Sequence, residues 1–304
     1  VERDSQWLDF LIVEGGYADG PPMTFDGLGG GILNAGGQLR LTEVTVRDCY
    51  AEFGGGICSI QAFSTETGLV SPGLWARRST FRDCFAAQDG AALYVDRCRR
   101  VVMTNVVCRN NTAGRDGGAI WVGARIPDHV IVNSVFHDNN ASQRGGAIYV
   151  RDHSTGPAGL RILNCTIAHN SLNEDAGGPG GAGVYLEFDS GGVPIPPNQV
   201  LSRTVFINTI LFANPGLSND DNILLASPPS GSHLVDVSNC FIGGRTTNPN
   251  TGLTVGTQGY GVAFIDAGQT GEVPGWVQAA TRDFRLQVTS RCINQGTDLV
   301  FLNN

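Results

Sequence analysis

The stretch Asn133-Ser-Val-Phe-His-Asp-Asn-Asn-Ala-Ser-Gln-Arg-Gly-Gly-Ala-Ile148 holds the two signatures from which the rest of the chain is read. The first is Asn133-x-x-Phe136-x-x-Asn139, two asparagines spaced around an aromatic residue. The second is Gly146-Ala147-Ile148, small residues opening a β-rich run. Openers of the same kind are Gly30-Gly31-Ile32, Gly55-Gly56-Ile57, Ala91-Ala92-Leu93, Gly118-Ala119-Ile120 and Ala182-Gly183-Val184, with Asn222-Ile223 as a degenerate seventh. Aligned on the aliphatic residue they step by 25, 36, 27, 28, 36 and 39 positions. The short steps measure a bare repeat, and the long ones carry loops. The asparagine signature recurs from Asn105 to Asn111, Asn164 to Asn170 and Asn208 to Asn214, with Asn239 starting a truncated copy. Glu43 to Cys49 and Arg78 to Cys84 are earlier, imperfect copies.

A repeat of about 25 residues makes two or three short strands joined by bends, each strand pairing with its equivalent one coil along at about 4.8 Å. Asparagines at one position in successive coils hydrogen-bond to one another and to the buried backbone of the bend, which gives both asparagine columns a role. Glycine pairs suit a bend where positive φ or close backbone approach excludes a side chain. A helical repeat array is the competing architecture, but Gly-Gly, β-branched residues and Asn at these positions are poor helix material. The pattern therefore predicts an all-β, single-domain, right-handed parallel β-helix of about seven to nine coils with loop insertions and a C-terminal cap.

Three zones follow. Residues 1–28 read as an incomplete first coil and loop, with Phe10 and Ile12 alternating. Residues 29–242 are the coils. Residues 243–304 lose the repeat and end in a closing strand and cap around Asp283 to Gln287 and Arg291 to Asn294.

Composition is consistent with this. The 304 residues include 42 glycines, 41 % hydrophobic and only 16 % charged residues, enough apolar material for a core. Twenty basic against 28 acidic side chains give −8, and every basic residue is arginine. Phosphate binding needs a concentrated positive surface, so a nucleic-acid partner is not expected. No apolar stretch is long enough to span a bilayer as a helix. The chain starts without Met or a signal-like segment and reads as a processed or trimmed product.

The Gly-Gly-Ala-Ile opener following the Phe-x-x-Asn step, seen from Phe136 to Ile148, resembles the repeats of chlamydial polymorphic outer-membrane proteins. More broadly, it resembles the secreted bacterial and archaeal parallel β-helix proteins of the pectin-lyase-like superfamily. The tail Asp283-Phe-Arg-Leu-Gln-Val-Thr-Ser-Arg-Cys-Ile-Asn-Gln-Gly296 is similar to the closing segment of secreted members. The resemblance implies the fold and an extracellular or cell-surface location. Because members range from adhesins to polysaccharide-acting enzymes, it does not imply an activity.

Enzymes of this architecture place catalytic groups on an outer sheet. Three positions after each opener the column reads Ile60, Asp96, Gly123, Arg151, Glu187, Ala226. Arg151 as base or oxyanion partner, with Glu187 or Asp96 as acid, would suit cleavage of a glycosidic chain. An exposed cross-strand ion pair is the plainer reading. One position after each opener stands Leu33, Cys58, Tyr94, Trp121, Tyr149, Tyr185, Leu224. Strand alternation turns Tyr94, Trp121, Tyr149 and Tyr185 outward, as a stripe that loops cover, a protein partner contacts or a carbohydrate stacks upon.

The five histidines, His129, His137, His153, His169 and His233, fall at different coil positions apart from His137 and the offset His169, so neither a triad nor a zinc site is indicated. Asp220 and Asp221, within Asn219 to Asn222, offer several oxygens to calcium, but a solvated turn is the plainer reading; no other cofactor is expected. Of eight cysteines, Cys49 and Cys84 share one column in adjacent coils, within disulfide reach. Cys108 takes the buried Phe136-type position; Cys165 and Cys240 share a column but lie two coils apart; Cys58, Cys98 and Cys292 have no assigned place. The function expected is a non-enzymatic extracellular or cell-surface structural and binding protein, alone or as a subunit of a larger assembly. Its partner would be a protein or a second copy, or else a carbohydrate. The alternative is a polysaccharide lyase or glycoside hydrolase.

Overall fold

The computed structural model describes residues 5–21, 24–64, 68–70, 72–123, 129–152, 159–173, 180–188, 202–215, 222–225, 233–238, 240–242, 265–266, 276–278 and 281–287. One complete coil runs through Gly73–Arg77, Thr80–Arg82, Phe85–Ala86 and Leu93–Asp96. We name the four strand stacks these begin sheets A, B, C and D. Each strand pairs in parallel with its equivalents in the neighbouring coils. Among the described residues, sheet A holds eight strands, B nine, C six and D seven. The chain is therefore a parallel β-helix repeat protein. Among the described residues the first six coils have four strands each where two or three were expected, because the strands of sheet C are only two residues long.

The register is the one the openers predict. Ile32, Ile57, Leu93, Ile120, Ile148, Val184 and Ile223 pair one above the next along sheet D. Their side chains enter a continuous core with Leu41, Phe81, Met103, Phe136 and Phe206. Alternation along Gln38–Thr42 buries every second residue, with Leu39 and Leu41 turned inward.

The bends explain why the two asparagine columns differ. Asn105, Asn133, Asn164 and Asn208 lie between sheets A and B with φ of 50° to 55°. Asn tolerates this left-handed region better than other side chains do. Glu43 and Arg78 occupy the same bend with the same backbone sign. These first asparagines are at or near the surface, and the role expected of them inside a buried ladder is corrected: Asn208 Nδ2 donates to Asn164 Oδ1 at 2.9 Å in an exposed rung, and the feature all four share is the left-handed backbone.

The second column is the buried ladder. Asn139 Nδ2 donates to Asn170 Oδ1 at 2.8 Å and to the Cys108 carbonyl at 3.0 Å, while its Oδ1 accepts the Asn111 backbone N–H at 3.1 Å. Asn111 and Asn170 repeat the pattern, and Asn214 continues it at 2.9 Å. Between sheets A and B a parallel ladder of small polar groups does the same work. Ser134 Oγ accepts the Val106 N–H at 3.1 Å, Thr209 Oγ1 the Cys165 N–H at 3.3 Å, and Cys240 Sγ the Thr209 N–H at 3.5 Å. Thr209 thus separates Cys165 from Cys240, as expected. Before sheet D, Gly117 supplies positive φ at 68°, one residue ahead of the opener. Gly118 supplies close approach, since a Cβ there would lie 2.1 Å from the Gly146 carbonyl oxygen.

Cys49 and Cys84 extend the asparagine column toward the N-terminus, and the Cys84 N–H donates to Asn111 Oδ1 at 3.1 Å. The bridge expected between them is not formed: both are buried thiols. Cys49 Sγ lies 3.1 Å from the Arg47 carbonyl, and Cys84 Sγ lies 3.4 Å from the Arg82 carbonyl and 3.9 Å from the Val46 carbonyl one coil back, so the sulfurs stand in the ladder's place. The hydrogen bond they share lowers Cys49 to about 7 and, together with burial, raises Cys84. Cys108 pairs with Phe136 and is fully buried, as its column predicted. Cys98 donates to the Ser59 carbonyl at 3.3 Å, and Cys58 packs with Leu28 and Phe53.

Asp283–Leu286 forms an antiparallel hairpin with Trp276–Gln278, and contacts from Arg282 and Phe284 reach the flank of the rod at His137, Asp138 and His169. Arg291 to Asn294, Cys292 and the calcium candidates Asp220 and Asp221 lie outside the described residues.

Candidate functional site

Sheet D presents its outer face through two positions of each strand. The position after each opener carries Tyr94, Trp121, Tyr149 and Tyr185, which sit in register. Their rings stack with centroids 4.4, 6.0 and 5.5 Å apart and interplanar angles of 11°, 23° and 15°. Phe53 meets the other side of Tyr94 at 5.2 Å. The stripe is turned away from the main core and forms a second apolar cluster, yet it is not bare: Trp121 is 8 % exposed, Tyr149 1 % and Tyr185 5 %.

Coil spacing drives this arrangement. Flat rings repeated near 4.8 Å stack on one another, so each ring's faces are taken by its neighbours. Sugar recognition by stacking needs an open face, and Trp121 and Tyr149 have a ring on both sides. Gly123, three positions after its opener, is where a side chain would collide with the Trp121 ring, at 1.8 Å.

Beside the stripe runs a polar column four positions before the opener: Asp89, Asp116 and Arg144. Backbone bridges join Asp116 to Arg144 and Arg144 to Gly180. Arg115 makes a two-pronged contact with Asp89, its Nε donating to Oδ1 at 2.8 Å and its Nη2 to Oδ2. One coil along, Arg144 grips Asp116 the same way at 2.9 and 2.6 Å. The third guanidinium nitrogen of Arg144 donates to Glu187 Oε2 at 2.9 Å. Its Cζ lies 4.9 Å from the Tyr149 ring centre and 5.6 Å from that of Tyr185, within cation–π range. The Tyr149 hydroxyl donates to the same Glu187 oxygen.

Electrostatics follow from this packing. Burial pushes the Asp116 carboxyl up, and Arg144 pulls it back only in part. Burial lowers Arg144, but Asp116, Tyr149 and Glu187 outweigh it and hold the guanidinium charged. Burial and then Glu187 raise the Tyr149 hydroxyl, which stays protonated. Among the described residues, three carboxylates, Asp89, Asp116 and Glu187, meet three guanidiniums, Arg115, Arg144 and Arg151, so this network is charge-balanced.

The residues proposed for chemistry separate accordingly. Arg151 and Glu187 pair across adjacent strands with Nε and Oε1 3.8 Å apart, the geometry of an ion pair. Asp96 lies two coils from Arg151, across Gly123, and its carboxylate pairs with Arg97 at 3.7 Å. Sequence reading missed Arg144 and Asp116, the centre of the network. The signal was there in a charged column ahead of the openers, but it lies in the bend and not on the strand. His129 is buried and accepts the Val101 N–H at 3.3 Å. Among the described residues no cluster of three or more His, Cys, Asp or Glu could hold a metal ion. No helix among them is long and apolar enough to cross a membrane, which says nothing of a β-barrel.

A family model described as the Chlamydia polymorphic membrane protein (Chlamydia_PMP) repeat matches residues 105–123 and 133–151. The matched segments are successive coils, each running from a left-handed asparagine through the buried ladder to the outer strand of sheet D. Neither the curated proteins nor the solved structures contained a match to the chain.

Proposed function

We propose that this chain is a non-enzymatic extracellular or cell-surface structural and binding protein, a stiff rod that displays its loops and flanks to a protein partner or a second copy. The observation that carries this reading is the outer face of sheet D. There the aromatic faces and charges are tied to one another coil by coil, as suits a scaffold more than a reacting centre. The repeat shared with a family named for membrane proteins supports a surface setting. A rod of stacked coils also suits display, because each coil is held by both neighbours.

The test has two arms. Antibody raised against the chain should label intact source cells or their medium, and labelling only after lysis would overturn the surface reading. The purified protein should cleave none of a panel of acidic and neutral polysaccharides. Cleavage abolished by Arg151→Ala would establish the hydrolase or lyase alternative instead.

A further inference from the structure

The segment 281–287 lies against the flank of the rod far from its neighbours in sequence. Arg282, in the turn just before Asp283–Leu286 with φ 61°, and Phe284, within that strand, both reach the rod. Arg282 grips Asp138 with two nitrogens, Nε donating to Oδ2 at 2.7 Å and Nη2 to Oδ1. Phe284 packs between two imidazoles, 5.4 Å from the His137 ring at 62° and 6.1 Å from the His169 ring at 27°. His137 Nδ1 donates to Asp138 Oδ2 at 2.7 Å. His169 occupies the bend position equivalent to Asp138 one coil along, both with positive φ. Two histidines, one carboxylate, one guanidinium and one phenyl ring thus form a single contact between elements 144 residues apart.

We propose that residues 281–287 are an acid-released clasp, closed on the rod at neutral pH and opened when His137 and His169 take up protons. The charges facing the rings set the direction. His137 meets Asp138 on its own turn, Arg109 from the preceding coil and Arg282 from the clasp. His169 meets Asp138 and His137 from the preceding coil and Arg282 from the clasp. Burial under Phe284 disfavours a charged imidazole, helped by Arg109 and Arg282 at His137 and by Arg282 at His169, and both rings are lowered from the usual histidine range, with burial the largest cause. Asp138 is lowered by Arg282 and His137 against the opposing effect of burial, so it stays ionised through this range.

The sign follows by linkage. The open form binds protons more readily than the closed form, so closure is at full strength above about pH 6.5 and weakens as pH falls below it. The loss is at most about tenfold per pH unit for each histidine. Asp138 strengthens closure above its unperturbed range and loses that contribution only at far lower pH.

Hydrogen exchange on the full chain, followed by mass spectrometry at pH 7.5 and 5.5 with intrinsic rates corrected, tests this. Peptides covering 281–287 should gain roughly tenfold to hundredfold in opening at pH 5.5, while peptides containing Ile120 and Ile148 stay protected. The double variant His137→Gln and His169→Gln should keep the clasp closed at pH 5.5, and Asp138→Asn should open it already at pH 7.5. The proposal is overturned if clasp exchange is the same at both pH values. It is equally overturned if the double variant opens as the parent does, or if the clasp and the coil core open together.

Discussion

Two asparagines six residues apart, identical in type and in repeat spacing, should respond very differently to alanine. In Asn139→Ala the buried Asn111 loses the acceptor of its backbone N–H, at 3.1 Å, and of one Nδ2 hydrogen, at 2.9 Å. Each buried donor left without a partner costs about 1–3 kcal/mol, so the variant should lose about 4 kcal/mol of local stability. Asn133→Ala removes no buried bond. It places alanine in the left-handed region, φ 50°, which costs about 1 kcal/mol. The difference of about 3 kcal/mol corresponds to a factor of over one hundred in the opening constant. Because a stack of coils need not unfold in one step, native-state hydrogen exchange of peptides covering 107–113 is the suitable assay. If the two variants differ by under about 1 kcal/mol there, the buried ladder does not hold the coils together as argued.

Glycines should divide in the same way. Gly118→Ala puts a Cβ 2.1 Å from the Gly146 carbonyl and should lower stability by about 3 kcal/mol or more, whereas Gly15→Ala, with φ 67° and open space around it, should cost about 1 kcal/mol; urea midpoints would show equal losses if close approach were unimportant. On the outer face of sheet D, Glu187→Gln weakens the hold on Arg144 and Tyr149 and should cost about 1–2 kcal/mol. Arg151→Ala should cost under about 1 kcal/mol, because that side chain is 43 % exposed and its pair spans 3.8 Å. Thermal unfolding that ranked them in reverse would displace Arg144 from the centre of the network. Finally, alkylation after unfolding without reductant should label Cys49 and Cys84 as thiols, and recovery of a linked Cys49–Cys84 peptide would contradict the ladder role assigned to them.

What could be read from sequence was whatever repeats. The openers gave the register of sheet D because small residues followed by an aliphatic one mark a bend and an inward side chain in every coil. The aromatic column was placed for the same reason, and burial of Trp121, Tyr149 and Tyr185 by stacking follows from coil spacing. Strands of two residues, such as Thr112–Ala113, carry no period and stayed hidden. The asparagine columns looked alike because composition does not distinguish a residue chosen for its backbone from one chosen for its amide. Asp116 and Arg144 lay outside the strand column searched, and the contact of Arg282 with Asp138 joins a non-repeating segment to a repeating one, which leaves no periodic trace. Cys49 and Cys84 shared a column as expected, but a shared column sets spacing alone and leaves each sulfur free to find a carbonyl.

Methyl–methyl nuclear Overhauser measurements along sheet D test the stacking most directly. Contacts should appear from Leu93 to Ile120, Ile120 to Ile148 and Ile148 to Val184, neighbours at about 4.8 Å in backbone spacing, and should be absent between Leu93 and Ile148, two coils apart. Absence of the Ile120–Ile148 contact, or a direct Leu93–Ile148 contact of equal strength, would contradict the coil register and with it every column described above.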